Sequence, residues 1–280
     1  MTLKIFLKLG RVSNLPTVWT NALAGAVLAG HPNLGKVLIV GLALSAFYIG
    51  GMWLNDAFDA RIDARERAIR PIPNGDIARS DVFVGGFGFL GAGVLLTVPL
   101  GSAVVFAGLG LAGAVVLYDW SHKNTGFSPV IMGAARLFCY LIAALAMGGI
   151  TPPVVLGALG LWAYTAGLTY AAKQEAYNRI GAAWPLVILA APLFYALVAT
   201  GGAFPALTLW ALLLAVVLLA LHRLVRRDRG DVSKAVVTLI AGMSLYDAVL
   251  IASAGAGGLA LVAVAGFALT LTLQRVVSGT

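Results

Sequence analysis

The 280-residue chain is 60% hydrophobic, only 11% charged, and carries a formal net charge of +8. A soluble domain usually has about 25% charged residues; this chain has too few to coat a water-exposed surface, so a membrane protein is expected. The basic excess does not point to nucleic acid, because the lysines and arginines lie in short connections between apolar stretches. A single cysteine, Cys139, excludes an intrachain disulfide, and no Cys/His cluster offers a zinc or iron–sulfur site.

A membrane-crossing helix needs about 20 apolar residues. Such spans are expected near 13–30, 36–58, 81–99, 102–119, 129–149, 153–173, 181–200, 205–225, 233–253 and 257–276. The first follows Lys4, Lys8 and Arg11 and mimics a signal peptide. Thr17, Thr20 and Asn21 interrupt it and more spans follow, so it reads as a retained helix. The connections after spans 2, 4, 6 and 8 carry the basic residues, among them Arg61, Arg65, Arg67, Arg70, Lys123, Lys173, Arg179 and Arg223, while the others hold only Lys36. By the positive-inside rule both termini and these connections face the cytoplasm, as in a bacterial inner membrane protein. An even count explains Arg275; the stretch 254–266, rich in Gly and Ala, leaves the tenth span less regular. The expected fold is therefore an all-α, polytopic membrane helical bundle of nine to ten transmembrane helices, in one domain over 1–280. Spans 1–4 and 5–8 each enclose a polar cytoplasmic connection, a weak sign of two four-helix pseudo-repeats. Glycines at small-xxx-small spacing (Gly25/Ala29, Gly88/Ala92, Gly157/Leu161 beside Gly160) are expected to serve close helix packing.

Span 2 ends in Asn55-Asp56-Ala-Phe-Asp59-Ala-Arg-Ile-Asp63. Continued as a helix, these four oxygen-bearing side chains fall within a stripe about 100° wide. Carboxylates crowded on one stripe repel one another. A divalent cation removes that cost, and hard oxygen donors suit Mg2+, which commonly shares its shell with substrate phosphates. Asp56, Asp59 and Asp63 are the expected metal ligands, with Asn55 assisting. The stiff segment Arg70-Pro-Ile-Pro-Asn-Gly75 would hold Arg70 against a phosphate. A solvated helix end with acid–base pairs is the plainer reading, but carboxylates at the end of a membrane span are costly and usually functional.

The acidic spacing followed by Arg-Pro-x-Pro-x-Gly resembles the first aspartate-rich motif of the UbiA superfamily of membrane prenyltransferases. The resemblance implies a central cavity open sideways to lipid. It also implies Mg2+-dependent departure of diphosphate from an isoprenoid diphosphate, and attack by a lipophilic or aromatic acceptor on the allylic cation. Tyr118-Asp-Trp-Ser-His-Lys123 is similar to the family's Tyr…Lys segment, so Tyr118 and Lys123 would bind the diphosphate. The second motif departs from the family: after span 6 the chain reads Lys173-Gln-Glu175-Ala-Tyr-Asn178-Arg179, with one acid in place of several. Glu175 and Asn178 would supply metal oxygens, or Lys173 and Arg179 would hold phosphate directly. This variant resembles the branch encoded in bacterial ebo-type gene clusters.

Arg136 and Asp247 lie inside spans and are candidates for binding acceptor or phosphate, or for a buried structural pair. Trp53, Tyr118, Tyr140, Tyr170 and Tyr177 are placed to face an allylic cation. His31, His122 and His222 read as loop or interface residues. A transporter, or a lipid-binding member without catalysis, shares the spans and the buried charge. A transporter does not explain polar groups gathered at one membrane face.

Overall fold

The structure, a computed structural model, describes residues 2–122, 125–175, 184–228, 230–277 and 279, without the side chains of 174, 175, 184 and 185. Its described regular structure is helical. In chain order the α-helices are α1 (Leu3–Leu9), α2 (Leu15–Leu28), α3 (Leu34–Glu66), α4 (Arg79–Thr97), α5 (Ser102–Ser121) and α6 (Ser128–Met147). They continue with α7 (Pro152–Glu175), α8 (Ala190–Ala199), α9 (Phe204–Arg226), α10 (Asp231–Ser253) and α11 (Gly257–Leu273).

Seven of these (α3–α7, α9 and α10) are long and apolar enough to cross a membrane, and the chain is an integral membrane protein. The expected spans 1 and 10 are shorter than hydropathy suggested, and so is span 7 over its described residues. The first breaks into a 3-10 turn at Val12–Asn14 and the 14-residue α2, which spans about 21 Å at 1.5 Å per residue. The seventh is a 3-10 stretch, Trp184–Leu189, running into the ten-residue α8; Pro185 and Pro192 withhold backbone donors there. The tenth is a regular 17-residue helix, so its Gly- and Ala-rich sequence does not disrupt it.

Apolar side chains gather into two large clusters. One joins α2–α6 through Val18, Leu44, Phe47, Leu90, Leu111 and Ile142. The other joins α2 and α6 to α7–α11 through Leu28, Tyr140, Leu161, Leu213, Tyr246 and Ala263. The short α2 and α6 therefore form the seam between the halves. Gly25 makes that seam possible: a Cβ there would stand 2.8 Å from the Tyr140 carbonyl oxygen and from the Ala143 Cβ. Gly157 and Gly160 likewise face Leu28, Leu250 and Tyr246. Gly88 differs from expectation, since open space surrounds it. A third, smaller cluster seats α1 on α3 and α4, where Trp53 meets Phe6 and Phe89 edge-on at 5.8 and 5.6 Å.

Candidate functional site

The acidic stripe forms because α3 does not stop at the apolar boundary. It runs 33 residues, capped at its start by Asn33 accepting from the Lys36 N–H at 3.0 Å, and reaches Glu66. Asn55, Asp56, Asp59 and Asp63 thus share one face, and all are buried, at 8%, 6%, 5% and 3% exposure. Beyond it the chain turns tightly. The Asn74 N–H reaches the Arg70 carbonyl, Asp76 N–H reaches that of Pro71, and Gly75 takes a φ of 80°, which glycine adopts without strain. This turn folds Arg70 back over α3.

Each described carboxylate of the stripe has a cationic or potentially cationic neighbour. Arg70 Nη1 bridges Asp56 Oδ1 at 3.0 Å and Asp63 Oδ2 at 2.7 Å. Arg11 Nη2 donates to the same Asp56 oxygen at 3.0 Å and to Asn55 Oδ1 at 3.3 Å. Burial is the largest single influence and opposes the Arg11 charge, but the Asp56 carboxylate, together with Tyr48 and Tyr118, holds the guanidinium's pKa above its ordinary value. Arg11 also has a φ of 41°, a conformation that non-glycine residues seldom adopt. His122 Nε2 stands 3.3 Å from Asp59 Oδ2, and Asp119 Oδ1 accepts from Asn55 Nδ2 at 3.1 Å.

Two cavities meet here. A chamber is lined on its polar side by Arg11, Asn55, Asp59, Arg70 and His122. An apolar pocket extends between α2, α3, α5 and α6, past Val18, Leu44, Phe47, Leu111 and Cys139. The two share Tyr48, Met52, Tyr118, Met132 and Arg136 as walls. A charged compartment therefore opens into a greasy one across a rim of two tyrosines and an arginine.

The other expected residues lie in several places. Tyr118 and Arg136 line the junction. Lys173 donates to the Thr125 carbonyl at 3.1 Å, tying the end of α7 to the connection between α5 and α6. Asp247 is fully buried, with one oxygen accepting from Asn21 Nδ2 at 2.7 Å and the other from the Tyr140 hydroxyl at 2.5 Å. Arg136 joins the same chain, donating to Asn21 Oδ1 at 2.8 Å and to Thr17 Oγ1 at 3.1 Å. The side chains of Lys123, Glu175, Asn178, Arg179 and Tyr177 lie outside the described residues. Of the expected aromatics, Trp53 packs against Phe6 and Phe89 and Tyr140 donates to Asp247, both away from these two cavities, whereas Tyr48, which sequence reasoning passed over, lines both.

Arg11, Asp119 and His122 were also missed. His122 is not a loop residue on the surface: it is 7% exposed and stacks on Tyr118. A signal for Asp119 existed, since it stands at the end of an apolar span just as Asn55 and Asp56 do.

The donor chemistry fits a hard divalent cation: several carboxylate oxygens share a face, and Asp119 Oδ2 is buried without a hydrogen-bond partner. Among the described residues no three acidic, His or Cys side chains already converge on one point. Mg2+ needs only one or two carboxylates, with water and phosphate completing its shell.

A sequence profile of the UbiA prenyltransferase family matches residues 16–246. Among curated relatives, 4-hydroxybenzoate octaprenyltransferase of Idiomarina loihiensis is 30% identical over 125 residues, 44% of this chain and 43% of that protein. Digeranylgeranylglyceryl phosphate synthase of Ignicoccus hospitalis is 32% identical over 127 residues, 44% and 41% of the two chains. The matched stretch thus spans less than half the length of these relatives. Among solved structures, the apo UbiA homologue of Aeropyrum pernix K1 superposes with a TM-score of 0.69 at 16% identity, covering 86% of this chain and 96% of that one. The Archaeoglobus fulgidus homologue bound to GPP and Mg2+ gives 0.55 at 13% identity, covering 97% and 99%. At these identities the structures show a shared fold.

Proposed function

Since the chain belongs to the UbiA prenyltransferase family, we propose that it transfers a prenyl group from an isoprenoid diphosphate to a lipophilic or aromatic acceptor, with Mg2+, at the cytoplasmic face of the membrane. The observation that carries this reading is the junction itself: a chamber lined by the Asp59 carboxylate and the guanidinium groups of Arg11, Arg67 and Arg70 opens across Tyr48, Tyr118 and Arg136 into an apolar pocket. An amphiphile with a charged head and a hydrocarbon tail fits that pair of compartments, and its C1–O bond would lie at the junction.

Asp56, Asp59 and Asp63 would hold Mg2+, with Asn55 assisting; the bound metal offsets the charge that builds on the leaving diphosphate. Arg11 and Arg70 now neutralise Asp56 and Asp63. With those carboxylates holding metal, both guanidinium groups would be free to grip phosphate oxygens, a geometry arginine favours, and every charge would stay paired. Lys123 and Lys173, at the same rim by sequence, would complete the grip, and Glu175 and Asn178 would supply further oxygens to the metal. The C1–O bond breaks with its electron pair leaving on diphosphate. The tyrosine faces at the junction shield the allylic cation from water, the acceptor supplies the pair for the new bond, and a proton is lost from the acceptor. The names of the relatives suggest an aromatic or a glyceryl phosphate acceptor, and Arg136 at the junction is placed to orient an anionic one.

The basic connections support a reading in which both termini and the rim face the cytoplasm at a bacterial inner membrane, with residues 1–280 acting as one membrane domain. Purified chain in lipid nanodiscs, given labelled farnesyl or geranylgeranyl diphosphate, Mg2+ and a lipid extract, is expected to release diphosphate and form a prenylated product. Donor binding with no turnover of any allylic diphosphate would overturn the reading.

A further inference from the structure

Asp119 is the acid that the reaction above leaves without a task. It lies near the end of α5, a 20-residue apolar helix, and is 4% exposed. Its Oδ1 accepts from Asn55, while its Oδ2 is buried with no hydrogen-bond partner. Asp56 and Asp63 have arginines and Asp59 has His122, but Asp119 has no ion pair among the described residues. An orphaned carboxylate oxygen in an apolar setting is costly, and a hydrogen bond to one oxygen does not compensate for the other.

We propose that Asp119 is a ligand of a metal ion that accompanies the diphosphate, joining α5 to the acidic face of α3. The inference rests on the prenyl-transfer reading. Two contacts define the placement. Asp119 meets Asn55, and one turn further along both helices His122 meets Asp59. Asp119 therefore lies about one helical turn, roughly 5 Å, from the Asp59 level. A cation held between those two levels would draw an oxygen from each side chain. Asp119 also lines the apolar pocket beside Tyr118, so a metal held there sits where the diphosphate meets the prenyl chain. The described side chains of α7 that line the chamber are Thr165, Leu168, Thr169 and Ala172, none of them acidic. Asp119 thus offers the metal site an arm from α5.

Mn2+ serves as the probe. Binding of Mn2+ to full-length chain in nanodiscs, with inorganic diphosphate present, is followed by paramagnetic resonance for the wild type and for Asp119→Asn. The variant keeps the size and the Asn55 contact. It is expected to bind Mn2+ about tenfold or more weakly, with its thermal unfolding unchanged. A coincident isotherm would overturn the assignment. Anomalous scattering from Mn2+ in wild-type crystals needs no variant and decides the matter should Asp119→Asn fail to fold. A peak within bonding distance of Asp119 supports the proposal; peaks that touch α3 alone refute it. If wild-type chain binds Mn2+ through Asp119 yet releases no diphosphate from any allylic donor, the prenyl-transfer reading fails and the metal ligand stands. If diphosphate is released and Asp119→Asn binds Mn2+ normally, only the ligand assignment fails.

Discussion

The cytoplasmic rim and the seam inside the membrane use the same side chains in opposite ways. At both places arginine, asparagine and aspartate come together. In the seam they form a closed chain, Thr17–Arg136–Asn21–Asp247–Tyr140, which links α2, α6 and α10. Both oxygens of Asp247 and both ends of the Asn21 amide are engaged, so neither side chain awaits a ligand, while Arg136 also faces the junction. At the rim, one guanidinium nitrogen of Arg70 is shared between two carboxylates, Arg11 converges on one of them, and Asp119 keeps an oxygen free. Those contacts are ionic, border a chamber and can be exchanged. A saturated polar chain fixes helices; an over-shared ion cluster can hand its partners to metal and phosphate.

Changes at the rim should therefore alter chemistry at little cost in stability, and changes in the seam the reverse. The largest effect is expected from Asp59→Asn: diphosphate release falls about 10²–10³-fold while thermal unfolding barely moves. An equal loss of stability would merge the two regions and break the contrast. Next comes Gly25→Val, which drives a side chain into the Tyr140 carbonyl and should cost about 1–3 kcal/mol in unfolding equilibria. Any protein that remains folded should still bind Mn2+. Arg11→Gln should weaken the allylic donor about tenfold, seen as a raised KM with little change in Mn2+ affinity. The smallest effect is assigned to Tyr140→Phe. Losing one hydrogen bond to Asp247 should cost about 1 kcal/mol, as for other polar contacts within membrane helices, and leave turnover near wild type. A large drop in turnover there would give Asp247 a role at the substrate.

Much of this contrast can be read from the chain. Angular spacing alone places Asn55, Asp56, Asp59 and Asp63 on one face, and α3 continues to Glu66 as that spacing requires. The Arg70-Pro-Ile-Pro-Asn-Gly75 segment turns where proline and glycine demand it. The partners were harder to see because they arrive from other helices: Asp119 lies 64 residues from Asn55, and Arg11 lies 45 from Asp56. Arg11 counted only as a topological charge, and His122 looked peripheral because periodicity says nothing about what a helix end docks against. The short helices α2 and α8 escaped for a different reason. Hydropathy measures apolar length, whereas helix length depends on where the hydrogen-bond ladder is broken, at Asn14–Pro16 in one case and at Pro185 and Pro192 in the other.

The central claim is that the acidic rim of α3 and its arginines ionise an isoprenoid diphosphate with the help of a divalent cation. The most direct measurement is diphosphate release from labelled geranylgeranyl diphosphate by purified chain, titrated with Mg2+, for the wild type beside Asp59→Asn. The account predicts release that rises with Mg2+, stops on chelation, and is lost in the variant although the variant stays folded. Release that is indifferent to Mg2+, or equal in both proteins, would contradict it.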